Sequence, residues 1–515
     1  MSDRCVTGAL TSLWWLLTVS LCLASDLERT DFRSEGLDSA RFVHLEDLIE
    51  SHYFRQIRGV VVLKGGKTLY EQYFNGADRE TLQDIRSAGK SLTSALVGIA
   101  FDKGFLSDLN QPLLSFYSEY DRTTNWDPRK DSITLAHTLS MSIGLDLSDG
   151  NYQEGSYGNV ESYGPQWITD VLGKPMTFDP GSRFDYSSGA VSLCGPVIRR
   201  ASGMPVPRFA DFFLFEPLGI TNYRWTKLPD GHVCTAGSFW MRASDFAKFG
   251  QLYLQRGKWN GRQVISEAWI DRSTREGFVP APWIKIGYGY YWWREEYYID
   301  DRVIPCFYAQ GNGGNRLHVF PSEDVVIAVT SSAYSEPYMF DQVRVMINRF
   351  ILPAAILPIG SYDSRADIVG VPLANLFAIG GVLLSALVLW PVNAYRRRKR
   401  GSPAGETNTN RLSKSARPAM WSSAFVHFGF VLLIVSEPSF ELFLNTGYEY
   451  EIPALHLTIN WLLTISASVA LAFGVIAVLQ RWWGIAERVH LLATACCCMY
   501  VLYLVYSWEA LILTG

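Results

Sequence analysis

The uneven distribution of apolar residues limits this 515-residue chain more than any motif does. Residues 26–360 are mixed in polarity and carry no long apolar run, whereas four apolar stretches follow at about 369–391, 420–444, 455–480 and 489–513. Each is long enough to span a bilayer as a helix. The second is interrupted by Glu437, Pro438 and Glu441. The run Arg396-Arg-Arg-Lys-Arg400, with Arg411, Lys414 and Arg417, falls between the first two stretches. Basic loops stay in the cytoplasm, so the domain before the first span is expected on the opposite side.

The N-terminus agrees with that topology. Arg4 precedes an apolar run over Ala9–Ala24, and Cys22-Leu-Ala24 is a tolerable cleavage site. Residues 1–24 therefore read as a secretory signal, with an uncleaved anchor helix as the rival. Leu21 before Cys22 does not suit a lipoprotein site. The domains expected are thus a signal peptide over 1–24, a folded domain over 26–360 and a membrane region over 369–513. The cytoplasmic (inner) membrane, crossed several times, is the expected location.

Other classes are disfavoured. The net charge of −4 is small and the basic cluster is explained by topology, so no nucleic-acid partner is expected. The outer domain contains Cys194, Cys234 and Cys306, an odd number at irregular spacing, and no Cys/His set has zinc spacing. Neither a metal nor a cofactor is expected. Histidines 44, 52, 137, 232 and 318 show no paired spacing, and no Gly-x-Ser-x-Gly elbow occurs.

Within residues 26–360, Gly59–Leu63 and Thr68–Phe74 flank Gly65-Gly66 and predict a β-hairpin. Leu92, Leu96 and Ile99 recur at helical spacing, predicting a buried helix that begins near Ser87. Ile133–Gly144 reads as a second buried helix, and Phe178–Gly189 as a turn-rich loop leading into a helix over Ala190–Ala201. Strands are expected at Gly287–Trp293, Phe307–Gln310, Arg316–Phe320 and Val325–Ser331. The fold class is α+β, with one antiparallel sheet closed by the two ends of the domain and a helical subdomain.

Chemistry points to the start of the Leu92 helix. Ser87 and Lys90 are the only Ser-x-x-Lys pair in the chain, and their spacing, close to one helical turn, can set the amine beside the hydroxyl. A helix N-terminus favours a developing anion. A serine hydroxyl needs a base within hydrogen-bond reach, and a buried lysine loses its proton more easily.

Ser87-Ala-Gly-Lys90, then Tyr186-Ser-Ser188, then a Gly-rich strand turn form an order that resembles the serine β-lactamase-like superfamily. The likeness is strongest to the class C branch with its esterases, D-amino-acid peptidases and 6-aminohexanoate-dimer hydrolases. It covers roughly residues 40–355 and includes Leu139–Leu145, Pro180–Gly189, Ala247–Leu254 and Gly311–Pro321. The resemblance implies a β-lactamase/transpeptidase-like fold and an acyl-enzyme on Ser87. Lys90 and Tyr186 would move the proton, with Lys90 lowering the Tyr186 pKa. The backbone N–H groups of Ser87 and Asn312 would bind the oxyanion. Tyr157-Gly-Asn159 is a rival for the tyrosine motif but lacks the Pro-Gly lead-in, so Tyr157 is expected either to line the substrate cleft or to stand exposed on its loop. Ser188 stands where penicillin-recognising members usually carry asparagine, and the third motif reads Ala309-Gln310-Gly311, with no cation at its first position. Arg316 is expected at the surface, a weak substitute for that cation.

The resulting expectation is a membrane-tethered serine hydrolase acting on a small-molecule, peptide or lipid ester or amide. Gly311, Gln310, Ser188 and Tyr157 would join Asn312 in binding. A D-Ala-type peptidase or β-lactamase, a non-hydrolytic sensor and a transporter are the alternatives, and oligomeric state is left open. The aromatic run Tyr288–Trp293 suits either a cleft wall or the sheet core.

Overall fold

In the computed structural model, residues 27–361 are described except 121–124, 150–163, 276, 282–285, 300–301 and 337. Tyr157, the segment 1–24 and the four apolar stretches of 369–513 lie outside the described residues. Among the described residues, no helix is long and apolar enough to cross a membrane.

The centre is an eight-stranded antiparallel sheet. Its strands are β1 (Ile57–Lys64), β2 (Lys67–Tyr73), β3 (Phe278–Ala281), β4 (Ile286–Tyr288), β5 (Trp293–Ile299), β6 (Arg302–Gly311), β7 (Asn315–Phe320) and β8 (Val325–Ser331). They lie in the order β2-β1-β8-β7-β6-β5-β4-β3. The expected closure is observed: β1, near the N-terminal end of the domain, pairs with β8, near its C-terminal end, matching Val60 with Val329 and Val62 with Ile327. Between β1 and β2, Gly65 and Gly66 both have positive φ, +57° and +77°. A two-residue hairpin of this kind needs positive φ at both places, which glycine adopts without strain.

Both faces of the sheet are covered, which explains why β8 is buried at every residue. Val61, Leu63, Leu317, Val326 and Ala328 face the larger core with helices α2 (Gly89–Asp102) and α6 (Ala243–Leu254). Val60, Val62, Ile327 and Val329 face a second core with α1 (Ala40–Glu50), α7 (Met339–Val345) and α8 (Leu352–Ile356). Helix α3 (Leu135–Leu139), α4 (Ser188–Ser192) and α5 (Cys194–Ser202) belong to the helical part.

Three expected elements are corrected. The helix predicted over 133–144 lasts only from Leu135 to Leu139. Ser140 Oγ donates to the Ala136 carbonyl at 2.9 Å, and the chain turns at Met141, whose φ is +57°. Side-chain bonds of this kind compete with helix continuation. The helix predicted over 190–201 starts at Ser188 and breaks at Leu193 into α4 and α5. Strand Gly287–Trp293 is interrupted by a turn, in which Gly289 N–H donates to the Trp292 carbonyl at 2.8 Å. That turn sends Tyr291 and Trp292 into the core and leaves Trp293 partly exposed.

Arg316 is also not the surface residue expected. It is 5% exposed and joins a buried ion-pair cluster on the second face of the sheet. Glu295 lies 3.8 Å from Arg316 Nη1, 3.7 Å from Arg344 Nε and 3.2 Å from His318 Nε2. Cys306 completes a buried group with Glu295 and His318 whose donor atoms lie within 4.8 Å of one another. A metal there would compete with two guanidinium groups for one carboxylate, so the group reads as structural.

Burial lowers the His318 imidazole to about 4, against the opposing pull of Glu295. Burial alone would raise the Glu295 carboxyl, but the His318 hydrogen bond and the Arg344 and Arg316 charges bring it to about 2. In both cases the unfolded chain binds more protons, so stability falls on acidification: from about 6.5 to about 4 for His318, and from about 4.5 to about 2 for Glu295. Urea unfolding of the full chain is expected to lose stability between pH 6.5 and 4, and His318→Phe should flatten that part of the profile. An unchanged profile in the variant would refute the assignment.

Candidate active site

The site is built where the chain leaves a short strand, Gln83–Asp84, for helix α2. Ile85 N–H donates to the Phe239 carbonyl at 3.0 Å, tying this strand end to Phe239–Met241. Arg86 then takes a left-handed backbone conformation, φ +50°, disfavoured for a residue with a side chain. Asp84 holds it: Oδ1 accepts from Arg86 N at 2.9 Å and Oδ2 lies 3.2 Å from Arg86 Nε. The Arg86 guanidinium also covers the Tyr334 ring at 4.8 Å. A 3-10 turn over Arg86–Ala88 leads into α2, so Ser87 stands just ahead of the helix, half-buried, and Lys90 lies in its first turn.

Lys90 is 1% exposed and its Nζ lies within hydrogen-bond distance of Ser87 Oγ at 2.9 Å, Ser188 Oγ at 2.9 Å and the Ala236 carbonyl at 2.6 Å. Nζ lies 5.0 Å from the centre of the Tyr186 ring. Ser87, Lys90, Tyr186 and Ser188 are therefore brought together from segments about one hundred residues apart.

Burial raises the Tyr186 phenol above its usual value; the Ser87 hydrogen bond works against this and the Asp149 charge adds to it. The expected lowering by Lys90 is thus corrected: removal from water outweighs it, and Tyr186 is held as a phenol. Its ring stacks on Trp293, with centroids 5.9 Å apart and planes 22° apart. Trp293 in turn meets Phe184 at 6.2 Å, and Phe184 meets Phe278 at 6.3 Å. Trp293, Phe184 and Phe278 are all partly exposed, and within the aromatic run Tyr288, Tyr291 and Trp292 are buried while Tyr290 and Trp293 are not.

The end of β6 closes on the serine turn. A Cβ on Gly311 would fall 1.9 Å from the Ile85 carbonyl oxygen and 3.0 Å from Ala88 N, an approach open only to glycine. Asn312 follows, its carbonyl accepting from Asn315 Nδ2 at 2.9 Å and its Oδ1 from Ser335 N at 2.7 Å. Its carbonyl is thus engaged within its own turn and its side-chain oxygen by the segment after β8. Gln310 is partly exposed and pairs with Arg316 across the ladder, while Ala309 is buried facing the larger core. The position that lacks a cation thus holds a buried methyl group, and Arg316, tied to Glu295, does not replace the charge.

Two participants were not found by reading the sequence. The Ala236 carbonyl carries no sequence signal, because any residue supplies one. Asp149 is 6% exposed and accepts from Ser188 N at 3.0 and 3.1 Å and from Ser188 Oγ at 2.6 Å. A buried acid is unusual, but nothing in Asp146-Leu-Ser-Asp149 marks which aspartate is buried. Asp149 N–H also donates to the Tyr186 carbonyl at 2.9 Å, fixing the two segments side by side.

A sequence profile described as Beta-lactamase matches residues 45–346. The chain is 23% identical over 263 residues to a 6-aminohexanoate-dimer hydrolase of Paenarthrobacter ureafaciens, covering 45% of this chain and 63% of that protein. It is 27% identical over 226 residues to esterase EstB of Burkholderia gladioli, covering 39% and 55%. It thus spans less than two thirds of the length of these relatives. Among solved structures, a putative 6-aminohexanoate-dimer hydrolase from Bacillus anthracis superposes with a TM-score of 0.52 at 20% identity, covering 64% of this chain and 87% of that one. That likeness supports the α+β fold expected.

Proposed function

Because the chain belongs to the beta-lactamase family, we propose that it is a serine hydrolase cleaving ester or amide bonds through an acyl-enzyme on Ser87. The observation that carries this reading is the buried Lys90 amine 2.9 Å from Ser87 Oγ, with the Tyr186 ring 5.0 Å from the same amine. Ser87 Oγ attacks the carbonyl carbon while its proton passes to Lys90. Tyr186, as a phenol, carries a proton onward to the leaving oxygen or nitrogen. The N–H groups of Ser87 and Asn312 receive the oxyanion, and Gly311 lets β6 come close enough for the second. Water then releases the acyl group by the same route in reverse.

Substrate preference follows from what lines the cleft. Buried Ala309 and an Arg316 turned to the other face of the sheet supply no cation for a substrate carboxylate. An uncharged ester or amide is therefore favoured over a β-lactam or a D-Ala-D-Ala terminus. The names of the hydrolase and esterase relatives support the same choice. Trp293, Phe184 and Phe278 offer an apolar wall beside Tyr186 for the acyl group.

The apolar stretches of 369–513 and the basic loop at 396–400 support anchoring in the cytoplasmic membrane with this domain outside.

A fluorophosphonate probe is expected to add once to the wild-type protein, at Ser87, and not to Ser87→Ala. Lys90→Ala should lower turnover of a p-nitrophenyl ester by about a thousandfold or more. A folded wild type that takes no probe would remove the hydrolase reading.

Trp293→Ala is expected to raise KM about tenfold for p-nitrophenyl octanoate and to change it little for the acetate. Equal effects on both esters would exclude the wall as an acyl site.

In intact cells, a membrane-impermeant thiol reagent should label Glu50→Cys and leave Ala404→Cys unlabelled. The opposite pattern would invert the topology.

A further inference from the structure

The acid behind the lysine has no place in the chemistry above, although its geometry connects it directly. Ser188 Oγ accepts from Lys90 Nζ at 2.9 Å and donates to Asp149 Oδ2 at 2.6 Å. One hydroxyl thus links a buried amine to a buried carboxyl, and all three groups are at most 6% exposed. The Asp149 carboxylate is held in place by three bonds from Ser188 and by its own N–H on the Tyr186 carbonyl.

We propose that Asp149 is a positioning residue that sets the protonation state of Lys90 through Ser188, by a single proton exchanged along Lys90–Ser188–Asp149. The inference rests on Ser87 being the nucleophile. In the resting site Lys90 is an ammonium and Asp149 a carboxylate. One N–H bond of Lys90 breaks as its proton binds Ser188 Oγ, and the former Ser188 O–H proton binds Asp149 Oδ2. The products are a neutral amine, an unchanged serine and a neutral carboxylic acid. No net charge is created and no outside acid or base is needed. The neutral amine then accepts the Ser87 proton during attack. Burial favours this exchange, since two charges in a dry site are replaced by none. It also raises the Asp149 carboxyl above its usual value, against the pull of Lys90 and of the Ser188 bonds. Ser188, where penicillin-recognising members usually carry asparagine, is suited to the task, because a hydroxyl accepts and donates through one atom and an amide does not.

Among the described residues, the charged and titratable groups facing Asp149 are Lys90 of α2, Asp185 and Tyr186 ahead of α4, and Tyr288 of β4. The test uses the full-length protein in detergent, with active sites counted by fluorophosphonate labelling. Asp149→Asn and Ser188→Ala are each expected to lower kcat per labelled site about a hundredfold with KM nearly unchanged, and the double variant should fall no further. In Asp149→Asn, kcat should climb with pH where the wild type is level, because Lys90 must then lose its proton to solvent. Ser188→Thr, which keeps the hydroxyl, should retain most activity. If Asp149→Asn does not fold, the contrast between Ser188→Ala and Ser188→Thr decides. Additive losses, or variants that lose thermal stability while kcat per labelled site holds, would overturn the relay and leave the nucleophile standing. A folded wild type that takes no label would remove both.

Discussion

Everything at the centre of this molecule is arranged around one buried lysine amine. Taking a lysine out of water costs several kcal/mol unless its donors are met and its charge is opposed. Here the amine meets acceptors from three segments: Ser87 ahead of α2, Ser188 at the start of α4, and the Ala236 carbonyl. Asp149 supplies the opposing charge at one remove, through Ser188. A site so assembled is rigid, because moving any one segment leaves a buried donor or charge unmet.

Rigidity is continued in the backbone. Gly311 brings the end of β6 onto the Ile85 carbonyl, and Gly237 sits where a Cβ would meet Arg86 O at 2.9 Å and Ser87 N at 3.2 Å. The serine turn is therefore clamped by strand and loop, and its strained Arg86 is kept in place by Asp84 and Tyr334. Strain held at a turn of this kind is characteristic of functional sites. Sheet alternation separates two electrostatic environments. Ala309 faces the larger core beside α2, while Gln310 and Arg316 point to the other side, where Glu295 and His318 lie. A slip of one residue in β6 would exchange the faces of its own side chains, turning Gln310 into the larger core and Ala309 toward Glu295 and His318.

Legibility in the sequence followed the range of the interactions. Ser87 and Lys90 were readable because a local helix turn sets their distance, and the apolar period of Leu92, Leu96 and Ile99 marks the same helix. The Gly65-Gly66 hairpin was readable for the same local reason, and the closure of the sheet from the placing of strands at both ends of the domain. Tyr186, Ser188 and the Gly311-Asn312 turn were reached through resemblance rather than periodicity, since their meeting with Ser87 depends on contacts across about one hundred residues or more.

Tertiary structure alone decided which polar groups are dry. Asp149 and Arg316 have nothing in their neighbours to separate them from surface residues, yet each is almost fully buried. Their burial alters what they do: Arg316 is spent on Glu295 and Asp149 faces the lysine through Ser188. The Tyr186 phenol shows the same dependence, since a nearby cation suggested a lowered pKa and removal from water raised it. Identity and spacing determined the Ser87–Lys90 pair and the α+β pattern, because those follow from short-range geometry. Protonation and partner choice depend on solvent access, and solvent access exists only once distant segments have packed.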